Sequence, residues 1–318
     1  MSLILAPLRG VTIRCFRETF APELAAAGFA EAVTPFISAM AGVDPLKDRE
    51  LGQEGKGRRK KEEGRSEDGR GEDGLTSSLR VTPQFIGKDP AALRFCLARV
   101  KSAGYDTADL NCGCPFPMVR NKGRGSGLLR TPDVLRQMLE VGCAVMGPGR
   151  FSVKARLGVE RTDELLKLMP LFNAYPLRFL TVHARTARQM YEGPCDEAMR
   201  AQVEAVARIP VVRNGDLGLD AADGMVGRAF VRSLGARPDA RDLLLRYVAA
   251  SAAELSGDRP VLGRIKELVS YWKDLPSWRR TWQVLKICRT VDELRAILRT
   301  GAGAACPGVP SGKGGTNG

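Results

Sequence analysis

The sequence predicts a (β/α)8 barrel, a ring of eight parallel strands surrounded by helices, followed by a smaller helical domain. Eight short apolar segments of strand length lie between residues 3 and 230, and helical stretches separate most of them. Strands that alternate with helices indicate a parallel sheet, and eight such units favour closure into a barrel. With 318 residues, 44% of them hydrophobic, the chain can bury the core that this fold needs.

The predicted strands begin near the amino terminus. Leu3 to Pro7 is a short apolar run that ends at a proline and a Gly10 turn, and Phe16 to Ala27 then has apolar residues at helical spacing. In a barrel, functional residues lie at the carboxyl ends of the strands. The other seven strands are predicted at Phe29 to Ser38, Val81 to Gly87, Asp106 to Cys114, Phe151 to Gly158, Phe179 to Thr186, Ile209 to Leu217 and Gly224 to Phe230.

Residues 47 to 74 interrupt this pattern between the second and third strands. They hold 9 Lys/Arg and 9 Asp/Glu among glycines and almost no apolar residue. Such a segment buries too little apolar surface to offset the entropy lost on ordering. We expect a disordered and dispensable insertion here. Because the insertion is neutral, the net charge of +13 must lie on the rest of the protein.

That excess of positive charge points to a polyanionic partner. We expect nucleic acid rather than a membrane, since no apolar run is long enough to span a bilayer. The start, MSLILAPLRG, lacks the features of a secretory signal, and the 8 cysteines have no disulfide-scaffold spacing. These features predict a cytoplasmic protein, which we expect to be a monomer.

The link between the seventh and eighth strands is too short to hold a helix. Only Gly218 to Asp223 joins them, whereas a parallel crossover usually needs a dozen residues or more. Either the seventh helix has been deleted or the gene model has lost it. We expect apolar surface to be exposed on these strands, with a low melting temperature as the result.

Helices dominate beyond Ala236. Residues 237 to 318 hold 14 Lys/Arg and 8 Asp/Glu, so Arg279 and Arg280 are candidates for phosphate contacts, whereas the nearby tryptophans are expected in the core. We predict a barrel domain over residues 1–235, a helical domain over 236–299 and a disordered tail over 300–318. The helices are predicted at Asp239 to Leu255, Val261 to Trp272, Ser277 to Ile287 and Val291 to Leu298.

The loop after the fourth strand carries two thiols. Cys112 and Cys114 form a C-x-C pair that is too short for the usual zinc C-x-x-C motif, so we expect no metal. Pro115 holds Cys114 in extended backbone at the strand end, which suits a proton donor or a nucleophile. The alternative is a pair of ordinary buried cysteines.

Cations and glycines follow these thiols directly. Arg120, Lys122 and Arg124 alternate with glycines up to Gly127. Such a loop can present positive charge and backbone N–H groups to an anionic ligand beside Cys114. This combination favours the functional interpretation of the thiol.

These motifs resemble those of the tRNA-dihydrouridine synthases, flavin enzymes that reduce uridine in tRNA. N-C-G-C-P at Asn111 to Pro115, with G-R-G-S-G-L-L after it, is similar to that family's active-site loop. A-P-L-R-G-V-T at Ala6 to Thr12 resembles its flavin loop A-P-M-x-G-x-T, with Leu8 for the usual Met and Ile13 for the usual Asp. Further matches follow in order at Pro83 to Gly87, Val153 to Gly158, Val182 to Thr186, Asn214 to Asp216, Gly227 and Arg228, and in the helical K-E-L-V-S-Y-W at Lys266 to Trp272.

The resemblance implies an FMN cofactor, NADPH or NADH as reductant, and tRNA as the partner. No side chain donates hydride, so the cofactor must deliver it to C6 of uracil, and Cys114 is expected to protonate C5. The implied cofactor-binding residues are Pro7, Leu8, Arg9, Gln84, Lys154, His183, Asn214, Gly215, Asp216, Gly227 and Arg228. The expected substrate-binding residues are Asn111, Arg120, Lys122, Arg124, Arg185, Arg279 and Arg280.

Strand positions refine some of these roles. We expect only one of Lys154 and Arg156 to face the barrel mouth, and the resemblance selects Lys154 as the cation beside the flavin. His183 and Arg185 are two residues apart and should share a face. The residues after strands seven and eight suit the phosphate site of a barrel.

Two other functions fit the same motifs. A small-molecule flavin oxidoreductase of the dihydroorotate-dehydrogenase type would share the phosphate site, but it has no need of a basic helical domain. A non-catalytic RNA-binding barrel with a degenerate flavin site would explain the short link. The salt dependence of tRNA binding and the flavin absorbance of the purified protein would distinguish these alternatives.

Overall fold

The structure is a computed structural model that describes residues 2–51 and 79–300. Its strands all pair in parallel within one sheet. The strands are β1 Leu3–Leu5, β2 Phe29–Val33, β3 Ile37–Ser38, β4 Arg80–Thr82, β5 Gln84–Ile86, β6 Ala108–Cys112, β7 Phe151–Gly158, β8 Leu180–Thr186, β9 Val211–Asn214 and β10 Gly224–Val226.

The sheet closes on itself. Its order is β3-β5-β6-β7-β8-β9-β10-β1-β2-β4. Pro35 separates β2 from β3 and Pro83 separates β4 from β5, because proline has no N–H to donate to the ladder. Each pair is therefore one interrupted strand, and since β2 pairs with β4 and β3 with β5, eight strands form a complete ring. The predicted (β/α)8 barrel is confirmed.

Helices follow most strands, and several begin at residues that favour helix starts. Asp89 accepts a hydrogen bond from the Ala91 N–H at 2.9 Å, and Asp196 accepts one from the Met199 N–H at 2.9 Å. The helices that follow barrel strands are α1 Arg14–Thr19, α2 Ala21–Ala26, α3 Pro90–Ser102, α4 Pro117–Arg120, α5 Pro132–Met146, α6 Glu164–Phe172, α7 Glu197–Val206 and α8 Arg228–Ala236.

Two apolar layers hold the barrel. The larger lies between the strands and α3, α5 and α6, and it includes Leu110, Phe151 and Leu139. Each side chain fully buried there contributes about 1.5–3 kcal/mol. The second layer fills part of the interior with six apolar side chains. Polar side chains occupy the interior nearer the carboxyl ends, as described below. The interior layer consists of Ile4, Ala6, Val33, Phe179, Val212 and Met225.

No helix lies between β9 and β10 in the chain that the structure describes, as the short link predicted. The eighth strand ends at Val226 rather than at Phe230, which lies in α8. On the outer side of β9, Arg213 is exposed, and the side chain of Leu217 reaches the backbone of Gly224. The surface left by the missing helix is therefore less apolar than expected.

The start of the predicted disordered insertion is corrected. Residues 47–51 are ordered, because Glu50 pairs with the buried Arg17 at 2.9 Å and Leu51 lies in the core. The local sequence could not reveal a partner 33 positions away. Residues 52–74 lie outside the described part of the chain.

The chain divides into two compact units, Met1–Phe230 and Val231–Gly318. In the second unit Trp272 and Trp278 are buried in contact with each other, and their indole N–H groups donate to backbone carbonyls. No helix among the described residues is long and apolar enough to cross a membrane. The remaining helices of this unit are α9 Ala240–Glu254, α10 Asp258–Val269, α11 Arg279–Leu285 and α12 Val291–Thr300.

Candidate active site

Cys114 lies just beyond β6, on the turn that leaves the barrel. Its N–H donates to Oδ1 of Asn111 at 2.8 Å, and its carbonyl accepts from the Ser126 hydroxyl at 2.9 Å. The Phe116 N–H donates to the sulfur. Three hydrogen bonds from neighbouring residues therefore hold the thiol in place, and only 6% of Cys114 is exposed.

Two glycines allow the loop to close over this thiol. Gly125 has a φ of +58°, and a Cβ there would lie 2.8 Å from the Cβ of Cys114. A Cβ on Gly127 would lie 2.3 Å from the carbonyl oxygen of Arg120. Any side chain at either position would push the loop away from Cys114. The G-R-G-S-G pattern thus has a steric reason.

Burial raises the pKa of the Cys114 thiol, although the Phe116 N–H and the charges of Arg9 and Arg156 oppose the shift. The thiol is therefore protonated at neutral pH, as a proton donor must be. Cys112 is different, because its side chain lies in the apolar layer between sheet and helices, where burial strongly raises its pKa. Its sulfur does not reach the barrel mouth.

A line of buried polar side chains supports the turn. Ser152 donates to Oδ1 of Asp109 at 2.6 Å, and Gln84 donates to Oδ2 of the same carboxyl at 2.8 Å. Asn111 in turn donates to Oε1 of Gln84 at 2.8 Å. Burial raises the pKa of Asp109 to about 6, while these hydrogen bonds lower it. Through this line, Gln84 fixes the orientation of Asn111 and so of the Cys114 turn.

Lys154 and Arg156 both face the interior, so the expectation that only one would do so is wrong. Residues two apart on a strand share a face. Lys154 Nζ donates to Oδ1 of Asn214 at 2.7 Å, and this bond crosses the interior because β7 and β9 are not neighbours. Burial, and then the charge of Arg156, lower the pKa of Lys154 to about 7.

Arg156 ties two loops together. It donates to the carbonyl of Gly113, beside Cys114, at 2.9 Å, and to the carbonyls of Thr186 and Met190 at 2.9 and 2.7 Å. Its guanidinium also lies 5.3 Å from the ring centroid of Tyr191. No carboxylate in the described residues pairs with it. Burial lowers its pKa to about 10.

The ends of β8, β9 and β10 form a charged cluster. Asp216 pairs with Arg185 and, at 2.9 Å, with Arg228. Burial and then the surrounding cations lower the pKa of His183 strongly, so its ring is neutral. Gly215 packs against that ring, where a Cβ would lie 2.7 Å from the His183 Cδ2. The short link between β9 and β10 therefore does not prevent these residues from meeting.

The first loop is supported without the family's usual acid. The Thr12 hydroxyl accepts from the Leu8 N–H at 2.8 Å and donates to the Ala6 carbonyl at 3.0 Å. The side chain of Leu8 lies 3.4 Å from the position of a Cβ on Gly227. Arg9 stacks on a nearby phenylalanine ring, and Pro7 lies between Ala6 and Leu8 at the end of β1.

The remaining cations divide into two groups. Arg120 and Arg124 are half-buried, and the Nε of each has no partner in the described structure, while Lys122 is exposed. Arg279 and Arg280 are exposed at the start of α11, in the second unit.

Sequence reasoning missed Tyr191 and Cys195. The ring of Tyr191 lies between the guanidiniums of Arg156 and Arg228, each 5.3 Å from its centroid. The sulfur of Cys195 lies 3.1 Å from Arg185. An aromatic residue in a charged loop after a strand was the only signal in the sequence.

The barrel mouth can hold an anionic cofactor. Lys154, Arg156, Arg185 and Arg228 gather there with Asp216 as the only exposed carboxylate among the contacts described. Helix α8 begins directly after β10, and the first N–H groups of a helix lack partners within it. No group of three metal-binding side chains occurs in the described residues. These donors fit a phosphate and a flavin edge.

The barrel and its cation-lined mouth define a protein whose strand ends can accommodate an anionic ligand beside a protonated thiol. A family model described as "Dihydrouridine synthase (Dus)" matches residues 4–224, more than half of the chain. The chain therefore belongs to the dihydrouridine synthase family.

Individual relatives agree with this assignment. The chain is 32% identical over 230 residues to the tRNA-dihydrouridine(16) synthase of Pseudomonas syringae pv. tomato, covering 68% of this chain and 67% of that protein. It is 31% identical over 218 residues to tRNA-dihydrouridine synthase B of Vibrio cholerae, covering 68% and 60%. It is 32% identical over 147 residues to a probable tRNA-dihydrouridine synthase of Rhodobacter capsulatus, covering 45% and 44%. The chain thus spans between about half and two thirds of these relatives.

Solved structures are more distant. Morphinone reductase has a TM-score of 0.48 at 12% identity, covering 73% of this chain and 83% of that one. The old yellow enzyme homologue of Zymomonas mobilis has a TM-score of 0.48 at 11% identity, covering 72% and 85%. Likenesses of this size support no statement about the chain.

Proposed function

We propose that this protein is a tRNA-dihydrouridine synthase, which reduces the C5–C6 bond of a uridine in tRNA with the help of FMN. The observation that carries the proposal is the buried, protonated Cys114 thiol, which Asn111 holds at a barrel mouth lined with cations. The family and the names of the relatives support the same activity. The proposal includes NADPH or NADH as the source of electrons.

The proton step belongs to Cys114. Reduced FMN, when bound, supplies hydride to C6. The Cys114 thiol then gives its proton to C5, and the negative charge left on sulfur is stabilised by the Phe116 N–H and by the charges of Arg9 and Arg156. Asn111 keeps the turn in register through its bonds to the N–H groups of Gly113 and Cys114.

The cofactor site is proposed in two parts. Lys154 lies inside the barrel, where its ammonium group would stabilise negative charge on the flavin; His183 lies on the neighbouring strand β8, and Gln84 lies on β5, two strands away on the other side. The phosphate would bind at the start of α8, where Arg228 would exchange its bond to Asp216 for one to the phosphate. The other proposed contacts are Pro7, Leu8, Arg9, Asn214, Gly215 and Gly227.

The substrate site is proposed around the mouth. Asn111 and Arg185 lie beside the thiol and the charged cluster, and Arg120, Lys122 and Arg124 would contact phosphates of the RNA. Arg279 and Arg280 give the helical domain, proposed as residues 236–299, a basic surface for the same tRNA. The barrel domain, residues 1–235, would carry the chemistry. We propose that the enzyme acts on tRNA in the cytoplasm and that it acts as a monomer.

Two measurements test the proposal. The purified protein should show flavin absorbance, and with NADPH and unmodified tRNA it should raise the mass of one uridine by two hydrogens. A protein that retains FMN and binds tRNA but forms no dihydrouridine would overturn the proposal. A protein without flavin absorbance, even after incubation with FMN, would favour a non-catalytic RNA-binding barrel instead.

A further inference from the structure

Two large apolar side chains are exposed beside the catalytic thiol. Phe116 is 39% exposed and Met118 is 72% exposed, although both follow Cys114 within four residues. Exposing such side chains loses the free energy that burial would provide. Large apolar side chains exposed together beside a functional group often mark an interaction site.

The backbone holds these side chains in fixed positions. Pro115 precedes Phe116 and Pro117 follows it, so the rings restrict φ on both sides. The Phe116 N–H is bound to the Cys114 sulfur, and Met118 lies in the short helix α4, whose Arg120 N–H donates to the Phe116 carbonyl at 2.9 Å. The backbone that carries the apolar pair therefore loses little conformational entropy on binding a partner, and the cost that remains is the ordering of the two side chains.

The charge around the pair has one sign. Residues 113 to 129 contain Arg120, Lys122 and Arg124 and no acidic residue. The Lys88 side chain adds a fourth cation, because it lies 3.5 Å from the position of a Cβ on Gly123. No carboxylate of the described residues pairs with Arg120, Lys122 or Arg124. Apolar side chains surrounded by unpaired cations complement nucleic acid, which offers bases and phosphates together.

We propose that Phe116 and Met118 form a wedge that stacks against the bases next to the target uridine while that uridine is drawn out toward Cys114. This inference rests on the proposed function. A base must leave its stack before a side chain can reach it, and apolar side chains that take its place compensate for the lost stacking. Only Pro115 separates Phe116 from Cys114 in the chain, so unstacking would occur where the proton is delivered.

The test uses a single-stranded RNA of about nine nucleotides. This length exceeds the roughly four nucleotides that the smallest single-strand-binding sites contact. Its central uridine has 2-aminopurine on each side, whose fluorescence reports stacking. The wild-type protein is compared with Phe116→Ala, Met118→Ala and the double variant. Val206→Ala, an exposed apolar residue at the end of α7, is the matched control. Lys122→Ala is the electrostatic control.

The wild-type protein should change the fluorescence, and the double variant should lose this change. The double variant should bind about ten-fold more weakly, the loss expected when one base loses an aromatic partner. Its salt dependence should match the wild type, whereas Lys122→Ala should lower the slope of log K against log salt by about 0.7 and keep the fluorescence change. Val206→Ala should match the wild type in both. Melting temperatures should be unchanged for Met118→Ala and should fall only slightly for Phe116→Ala, because part of the Phe116 ring is buried.

Wild-type fluorescence and affinity in the double variant would overturn the wedge, as would a loss of affinity accompanied by a lower salt slope. A change of oligomeric state alone would identify a protein contact and would also overturn it. Dihydrouridine formation on full-length tRNA is measured separately. If the wild type shows the fluorescence change but forms no dihydrouridine, the wedge stands and the proposed function fails.

Discussion

Strands β6 to β8 and strands β9 and β10 build the same barrel in different ways. β6 and β7 pair over the whole of β6, from Ala108 with Phe151 to Cys112 with Ala155. β9 and β10 share a single registered pair, Asn214 with Met225. Helices α5 and α6 pack on the first group, and the second group has no helix in the described link between its strands.

Between β9 and β10, side-chain hydrogen bonds and ion pairs take the place of backbone pairing. Asn214 donates to the Met225 carbonyl at 2.7 Å while it accepts from Lys154, and Asp216 joins Arg185 to Arg228. A ligand that binds these groups would stabilise the folded state by mass action. The thiol therefore lies in the part that backbone pairing, packing and buried hydrogen bonds hold, and the proposed phosphate site lies in the part that a bound ligand would stabilise further.

Removing the thiol should have the largest effect. We expect Cys114→Ala to lower dihydrouridine formation by at least about 100-fold, because a general acid contributes about 10²–10⁴. Flavin reduction by NADPH should be largely unchanged. Cys112→Ala is the matched control, since its side chain lies in the apolar layer and not at the mouth. If Cys112→Ala abolishes turnover and Cys114→Ala does not, the assignment is wrong.

The pH dependence should follow from the raised pKa of Cys114. The thiol is the active form, so the contribution of Cys114 to the rate should be constant up to the ordinary thiol value of about 8.5 and fall by about ten-fold per pH unit only above the raised pKa. Stability should follow the same sign, because the buried neutral thiol loses its advantage as pH rises through the folded-state pKa. Lys154, whose pKa lies at about 7, also loses its charge as pH rises, so a rate that falls between pH 7 and 8 in both the wild type and Lys154→Arg would contradict a protonated donor.

The packing of α5 against β7 should tolerate no added side-chain volume. A Cβ on Gly142 would lie 2.1 Å from the Phe151 ring, so Gly142→Ala should lower the free energy of unfolding by about 1–3 kcal/mol. Gly263 in α10 has open space around it, and Gly263→Ala should instead stabilise by about 0.5–1 kcal/mol. Denaturant titration measures both. Equal effects would show that β6 to β8 are not tightly packed.

A substitution in the proposed phosphate site, at the ends of β9 and β10, should change how tightly the protein retains FMN. Arg228→Ala should weaken FMN retention by about ten-fold, the equivalent of one charge-assisted hydrogen bond. Arg213→Ala, an exposed arginine on β9, should leave retention unchanged. Equilibrium dialysis of FMN measures both variants. If both lose FMN equally, charge alone and not the position of Arg228 explains binding.

Restoring a helix should have the smallest effect. Inserting a helix of about 15 residues after Leu219 should raise the melting temperature by about 2–4 °C per kcal/mol gained and improve FMN retention. Arg213 and Leu217 already cover part of this surface, which limits the gain. Thermal melts of both proteins with and without FMN measure the change in melting temperature. If the chain without the inserted helix already melts like an ordinary barrel and holds stoichiometric FMN, there is no reason for the insertion.

Local patterns predicted much of the candidate site. The turn at Cys114 depends on Pro115, Gly125 and Gly127, all close in the chain, so their residue types reveal the geometry. The sequence pattern placed Gly227 and Arg228 within the eighth strand, whereas the structure ends that strand at Val226 and begins α8 at Arg228. The face of Lys154 and Arg156 was misjudged even though the period of a strand decides it.

Apolar periodicity, proline and glycine act over a few residues, so the order of strands and helices and the loop that carries Cys114 follow from residue types along the chain. Which distant groups meet depends on how the barrel closes. Arg156 contacts Gly113 and Met190, 43 and 34 positions away, and Arg17 pairs with Glu50 at a separation of 33. Closure of the barrel brings these residues together, and no local pattern records the register of strands that are far apart in the chain.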